Sequence, residues 1–302
     1  MMKDLIRYSD ETDEQFNARK IWYSFCNSVL YENRFFVNHE LLDWLKNYCI
    51  KNTIELKEGS LFFRARIIDD KAKKDHMLYN SVGAPDVEIR MKQYCSKKNT
   101  FRGLTKEASF VPPENVQVKE GRANPKYIRY LYMSEDPITA LFEVRPFLYN
   151  AVNLAGIMVN KRIKIANIAV DIDCINYKDK SINEHLLSHI QGAFSKPTNN
   201  TEDYIVSQII AEYIKKLGYD GIRYRSSLHR EGVNYTVFSF EKCEAVSSQD
   251  FRIENFKITA RAAIGSAEFT GDLRYVVDNE PKYTRDGKLK EYPKNIKELN
   301  ND

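Results

Sequence analysis

Two arginines and one glutamate stand out in this 302-residue sequence because their neighbours do not suit them. Arg64 and Arg66 fall within Leu61-Phe62-Phe63-Arg64-Ala65-Arg66-Ile67-Ile68, an apolar run of strand type whose alternation puts both guanidinium groups on one face. Cations so placed are costly to bury without anionic partners. They either form internal salt bridges or make a site for phosphate or carboxylate, which Arg grips through paired hydrogen bonds. Glu143 lies between Phe142 and Val144, where an exposed acid would normally have polar neighbours. It is a candidate to line a pocket instead of a solvated face. His185 and His189 have metal-ligand spacing at i, i+4, but no third ligand is near in sequence, and surface histidines are the expected account.

The elements that must position these groups can be read from local pattern. Gly121 and the Asn124-Pro125 pair mark an irregular segment carrying Arg122, and Tyr130-Leu131-Tyr132-Met133 is a short strand. Ser134 is expected to cap a helix with Glu135 and Asp136 in its first turn. Pro137 is tolerated there, and the helix runs through Ala140 and Leu141 to Glu143 and stops before Pro146. The clearest helix follows Thr201 as its cap, with Ile205, Ile209, Tyr213 and Leu217 as its apolar row and Gly218 as its stop. Tyr219-Asp220-Gly221 then turns into a strand over 222–227 that ends in Ser226 and Ser227, and Glu231 to Asn234 turns the chain into a closing strand over 235–240. Strands are also expected over 154–159 and 163–172, with a turn at Asn160-Lys161, and a helix over 182–194. The first 55 residues read as helical, with Asn38 as a cap before Leu41, Leu42, Leu45 and Tyr48. Residues 69–120 read as a long lysine-rich connection, mostly solvated surface, with turns at Gly83-Ala84-Pro85 and Val111-Pro112-Pro113. Beyond residue 250 a few strand-like runs precede a charged tail from Glu280.

Hydrophobic content of 43% and charged content of 29% belong to a soluble globular protein. With no run of 18 apolar residues and no basic start before an apolar stretch, neither a membrane span nor a secretory signal is expected. The five cysteines (Cys26, Cys49, Cys95, Cys174, Cys243) are scattered without a C-x-x-C pair and read as reduced thiols of a cytoplasmic protein. A net charge of +4 suits an anionic small molecule and is too weak to argue for nucleic acid.

The stretch over 121–146, Gly-Arg-Ala-Asn-Pro-Lys-Tyr-Ile-Arg-Tyr-Leu-Tyr-Met-Ser-Glu-Asp-Pro-Ile-Thr-Ala-Leu-Phe-Glu-Val-Arg-Pro, resembles the central motif of the RES family, named for an Arg, a Glu and a Ser. A second block, helix–Gly-Tyr-Asp-Gly-Ile–strand–Ser–turn–strand over 201–240, resembles the family too, as does the strand of Arg64. The likeness covers residues 58–245 with its blocks in the right order. It implies an α+β fold, an ADP-ribosyltransferase-like core of small mixed and antiparallel sheets with flanking helices. A helical segment over 1–55 precedes the catalytic domain at 56–248, and an appendage follows at 249–302. The implied activity is cleavage of the nicotinamide–ribose bond of NAD+ by a toxin-type enzyme, with water or inorganic phosphate as acceptor. Glu143 matches the family Glu and would stabilise the positive charge that develops on the ribose. Arg64 matches the family Arg, with Arg66 as the alternative, and Arg122 joins it on the dinucleotide phosphates. Tyr132 would meet the nicotinamide end. Ser226 matches the family Ser, with Ser227 as the alternative; Arg225 stands where most members have Pro. A neutralising antitoxin, often of helix-turn-helix type, is implied as partner, and no cofactor beyond NAD+ as substrate.

Other readings remain. The acceptor could instead be a macromolecule, making the protein an ADP-ribosyltransferase. Arg34 and His39 form an R-x4-H pattern similar to the ribonuclease motif of HEPN domains. A binding module that has lost turnover is the third reading, against which stand Arg64, Arg122, Tyr132, Glu143 and Ser226 together. No G-x-G-x-x-G loop is present, so a dehydrogenase use of NAD is not expected.

Overall fold

The computed structural model describes residues 7–8, 11–69, 87–169, 180–195, 200–229, 231–254, 257–261 and 274–278. The chain divides into two compact units, one of Met1–Pro146 with Ala151–Phe251, the other of Phe147–Asn150 with Arg252–Asp302. In the first unit the strands β1 (Thr53–Leu56), β2 (Leu61–Ile67), β3 (Thr100–Phe101), β4 (Leu131–Ser134), β5 (Ala151–Val159), β6 (Ile163–Asn167), β7 (Gly221–Arg225), β8 (Val233–Val237) and β9 (Cys243–Arg252) form one sheet in the order β1-β6-β7-β8-β4-β2-β5-β9-β3. Most neighbours are antiparallel, with parallel pairs at β6–β7 and β3–β9. A mixed sheet with flanking helices is the expected α+β class. In the second unit β10 (Lys257–Arg261) and β11 (Arg274–Asp278) pair antiparallel.

The helices are built on identifiable local signals. Helix α1 (Asp13–Asn27) opens with a capping box in which Thr12 and Gln15 bond each other's backbone, and a π-helical turn (Ser28–Glu32) continues it. Helix α2 (Glu40–Lys51) is capped by His39, whose ring nitrogen accepts from the Leu41 amide at 3.1 Å, and not by Asn38. The expected connection over 69–120 carries structure of its own, α3 (Val87–Ser96), β3 and a short α4 (Lys106–Ser109), with Met91 and Cys95 buried. Its Gly83-Ala84-Pro85 element lies outside the described residues, as do the end of the expected 163–172 strand and the charged tail.

Helix α6 (Ile182–Ser195) forms where expected, but its histidines are not on the surface. His185 is buried, and the His189 ring stacks on Trp22 of α1 at 5.8 Å. Residues Thr201–Tyr204 form a 3₁₀ turn capped by Asn200, and α7 (Ile205–Lys216) starts after it, so Thr201 is not the cap. Gly218 ends the helix at φ +83°, a left-handed conformation that only glycine adopts cheaply. The fully buried face of α7 is Val206, Ser207, Ile210, Ala211 and Ile214, one residue along from the row read in sequence, whose members form its half-buried flank. A single core joins these helices: Phe25, Val29, Leu41, Leu45, Leu186, Ile190, Ile210 and Ile214 belong to one cluster with Ile222 and Tyr224 of β7. The helices of the first 55 residues therefore share the core of the first unit.

Candidate functional site

Four neighbouring strands bring one row of side chains into register. Tyr224 of β7 pairs with Asn234 of β8, Asn234 with Ser134 of β4, and Ser134 with Phe63 of β2. Residues directly opposite in adjacent strands project to the same face, and all four line a cleft of about 360 Å³. Its walls also hold Arg64, Glu120, Gly121, Arg122, Tyr132, Glu143 and Tyr204.

Glu143 is delivered by a two-turn helix, α5 (Pro137–Glu143). The cap is Asp136, whose carboxylate accepts from the Thr139 amide at 2.8 Å, with Pro137 at the start, where a missing N–H costs nothing. Ser134 is therefore not the cap; it ends β4 and its hydroxyl donates across the sheet to Asn234 Oδ1 at 2.6 Å. The helix stops because Arg145 turns left-handed at φ +47°, leaving Glu143 as its last residue. Glu143 Oε1 accepts two hydrogen bonds, from Ser226 Oγ at 2.6 Å and from Asn234 Nδ2 at 2.7 Å. Glu143 is exposed as a residue, and both of these bonds fall on the same oxygen, Oε1.

Ser226 has all its bonding capacity committed. Its hydroxyl accepts from the amides of Leu228 and His229, both at 3.1 Å, and donates its one proton to Glu143. With both lone pairs occupied and its proton directed at a carboxylate, the oxygen orients Glu143 and is not set up to attack. Asn234 is the partner that sequence reasoning missed. It reads locally as a turn residue, and its place opposite Ser134 at the end of β4 emerges only once the strands pair.

Arg64, also in the cleft lining, donates from Nη1 to the Tyr132 carbonyl at 3.1 Å, while its buried Nε has no hydrogen-bond partner. Burial, reinforced by the charge of Arg66, pulls the Arg64 guanidinium down to about 9. Arg66 bonds the Phe110 carbonyl at 2.7 Å and also buries an unpartnered Nε; burial lowers its value as well. Among the described residues neither arginine has a carboxylate partner, so the salt-bridge account of this pair does not hold. An arginine stays cationic at neutral pH, and its lowered value expresses a charge that an anion would stabilise.

Arg122 lies on the loop over 121–124. Tyr132 holds this loop, its hydroxyl donating to Asn124 Oδ1 at 2.6 Å and accepting from the Ala123 amide at 3.1 Å. Burial pushes the Tyr132 phenol up to about 12, so it remains a donor. A side chain at Gly121 would press on the Tyr132–Asn124 bond, because a Cβ would come within 2.5 Å of Asn124 Oδ1 and 2.9 Å of the Tyr132 hydroxyl, and one of them would have to shift. With its hydroxyl committed to the loop, Tyr132 offers the cleft its ring.

The structure thus brings Glu143, Arg64, Arg122 and Tyr132 to one cleft, with Ser226 bonded to Glu143. It does not bring in the two alternatives: Arg66 is not among the residues lining the cleft and bonds the Phe110 carbonyl, and Ser227 turns its hydroxyl to the Ser195 carbonyl. Arg34 and His39 are also elsewhere; Arg34 is exposed, and both nitrogens of His39 are engaged, one capping α2 and the other 3.2 Å from Ser24 Oγ.

Comparison with known proteins decides the family. The model of the RES domain matches residues 92–258, more than half of the chain. The chain belongs to the RES-domain family. The match includes Arg122, Tyr132, Glu143 and Ser226, begins after β2 with its Arg64, and runs past the expected limit at 245. Among solved structures, the M. tuberculosis MbcT–MbcA toxin–antitoxin complex is similar at 11% identity and a TM-score of 0.35, over 70% of this chain and 94% of that one. No curated protein matches the chain. Among the described residues no helix is long and apolar enough to cross a membrane.

Proposed function

We propose that this RES protein cleaves the nicotinamide–ribose bond of NAD+. The observation that carries the reading is the Glu143 carboxylate, fixed by Ser226 and Asn234 at a cleft whose lining also includes Arg64, Arg122 and Tyr132. The bond breaks through an oxocarbenium-like state, so positive charge develops on the ribose as nicotinamide leaves. A preorganised carboxylate lowers that barrier because it needs no reorientation as the charge appears. The nicotinamide departs as a neutral molecule, taking the bonding electrons, and needs no proton from the protein. Arg64 and Arg122 bind the pyrophosphate, which satisfies the uncompensated charge of Arg64. The Tyr132 ring packs against the nicotinamide end.

Water as acceptor yields ADP-ribose, and inorganic phosphate yields its phosphorylated counterpart. Loss of NAD+ harms the cell that makes the enzyme, so a toxin role with a neutralising partner protein follows from this activity, in the cytoplasm where NAD+ is held. The test is nicotinamide release from NAD+ by the purified protein, with and without inorganic phosphate, beside a Glu143→Ala control. Release by the wild type and not by the control supports the reading, and phosphate dependence identifies the acceptor. Absence of release from folded wild-type protein under both conditions overturns it.

A further inference from the structure

The loop that carries Arg122 is held by a helix that the proposed chemistry does not use. Gln208 of α7 donates from Nε2 to the carbonyls of both Gly121, at 2.9 Å, and Asn124, at 3.1 Å, the first and last residues of the loop. The Gly121 amide also bonds the Asn124 carbonyl at 2.9 Å, so Gln208 locks a turn that is already closed. Ser207 donates to the carbonyl of Arg122 itself at 2.6 Å. The Arg122 guanidinium lies 5.6 Å from the ring centre of Tyr204, on the turn that leads into the same helix. Residues 204–208 therefore supply both the backbone anchors of Arg122 and the surface beneath its charge.

Neither polar residue is explained by helix formation or by the core. Ser207 is fully buried on a face it shares with Val206, Ile210, Ala211 and Ile214. A hydroxyl there is costly unless it is hydrogen-bonded. Besides the Arg122 carbonyl it is within 3.0 Å of the Tyr204 carbonyl, a bond any serine in a helix can make, so the loop contact is the one particular to this site.

We propose that Ser207 and Gln208 are positioning residues that aim Arg122 into the cleft before a ligand arrives. Holding an arginine loop in its bound geometry removes the ordering cost that binding would otherwise carry. The inference takes its ligand, the pyrophosphate of a dinucleotide, from the NAD+ reading; the holding of the loop stands on geometry alone.

The experiment uses the full-length protein and the variants Gln208→Leu, Ser207→Ala and Ser207→Thr. Amide hydrogen exchange over residues 121–124, measured without ligand, is expected to rise roughly 30-fold in Gln208→Leu, which removes two bonds to the loop, and about fivefold in Ser207→Ala, which removes one, at roughly 1 kcal/mol for each bond. Ser207→Thr keeps the hydroxyl and is expected to restore protection. Gln208→Leu is expected to raise the KM for NAD+ about tenfold with kcat within twofold. Combined with Arg122→Ala it is expected to add nothing further, since both changes remove the same contact. Unchanged exchange in both variants overturns the proposal, as does a full additive penalty in the double variant. If the wild type releases no nicotinamide, the NAD+ reading fails, while the exchange measurement still decides whether α7 holds the loop.

Discussion

Replacing Arg64 by Met is expected to make the ligand-free protein more stable while it disables the site. The guanidinium is pulled from 12.5 down to about 9, mainly by burial and next by Arg66. At about 1.36 kcal/mol per pH unit, that is roughly 5 kcal/mol of unfavourable charge burial. Water screens a share, because Arg64 lines the cleft and is only partly buried as a residue. Met also gives up the 3.1 Å bond to the Tyr132 carbonyl, worth about 1 kcal/mol. A net gain of about 1–3 kcal/mol remains, which for a chain of this size raises Tm by roughly 2–5 °C. The folded value lies below the unfolded one, so the penalty is complete below about pH 9 and fades as pH rises above it; the advantage of Met should shrink there. The assay is thermal unfolding at pH 7, with and without ADP as a pyrophosphate-bearing probe. ADP should raise the wild-type Tm and leave R64M unmoved. A ligand-free R64M that melts below the wild type, or an equal ADP shift in both proteins, would refute the reasoning.

Three further outcomes are expected. Ser226→Ala should lower kcat for nicotinamide release about 10–100-fold, the worth of one hydrogen bond to a charged group; a covalent adduct on Ser226 in the wild type, seen by mass spectrometry, would show the serine to be a nucleophile instead. His189 is held down to about 4 by burial, then by His185 and Arg19. Its contribution to stability is therefore complete above about pH 6.5 and is lost as pH falls through 4, roughly 3 kcal/mol in all. Trp22 fluorescence should follow the acid unfolding, and His189→Gln should flatten the curve in that window. His39→Ala should cost about 1 kcal/mol of stability, as removal of a helix cap does. It should leave NAD+ turnover intact, where the ribonuclease reading requires loss of RNA cleavage.

Much of the site was legible because its signals are local. The odd neighbours of Glu143 and the two arginines on one strand face depend on adjacent residues alone. So do the strand of Tyr132 and the left-handed stop at Gly218. What escaped depends on residues far apart in sequence. Asn234 looks like part of a turn until β8 lies beside β4, and then it stands opposite Ser134 with Glu143 in reach. Gln208 looks like a solvated helix position until the loop over 121–124 comes against it. The caps moved for a related reason. Ser134, Asp136, Asn38 and His39 all have the chemistry to cap, and which of them does so is decided by where the neighbouring strand or helix ends.

The saturated hydroxyl of Ser226 has a consequence for inhibitor chemistry. Fluorophosphonates and other serine-directed electrophiles need an oxygen with a free lone pair and a base to take its proton; here two backbone amides occupy the oxygen and a carboxylate already receives the proton. Such reagents should pass this serine by. A compound suited to the cleft would instead carry a fixed positive charge where the ribose of NAD+ would lie, opposite Glu143, and an anionic group for Arg64 and Arg122.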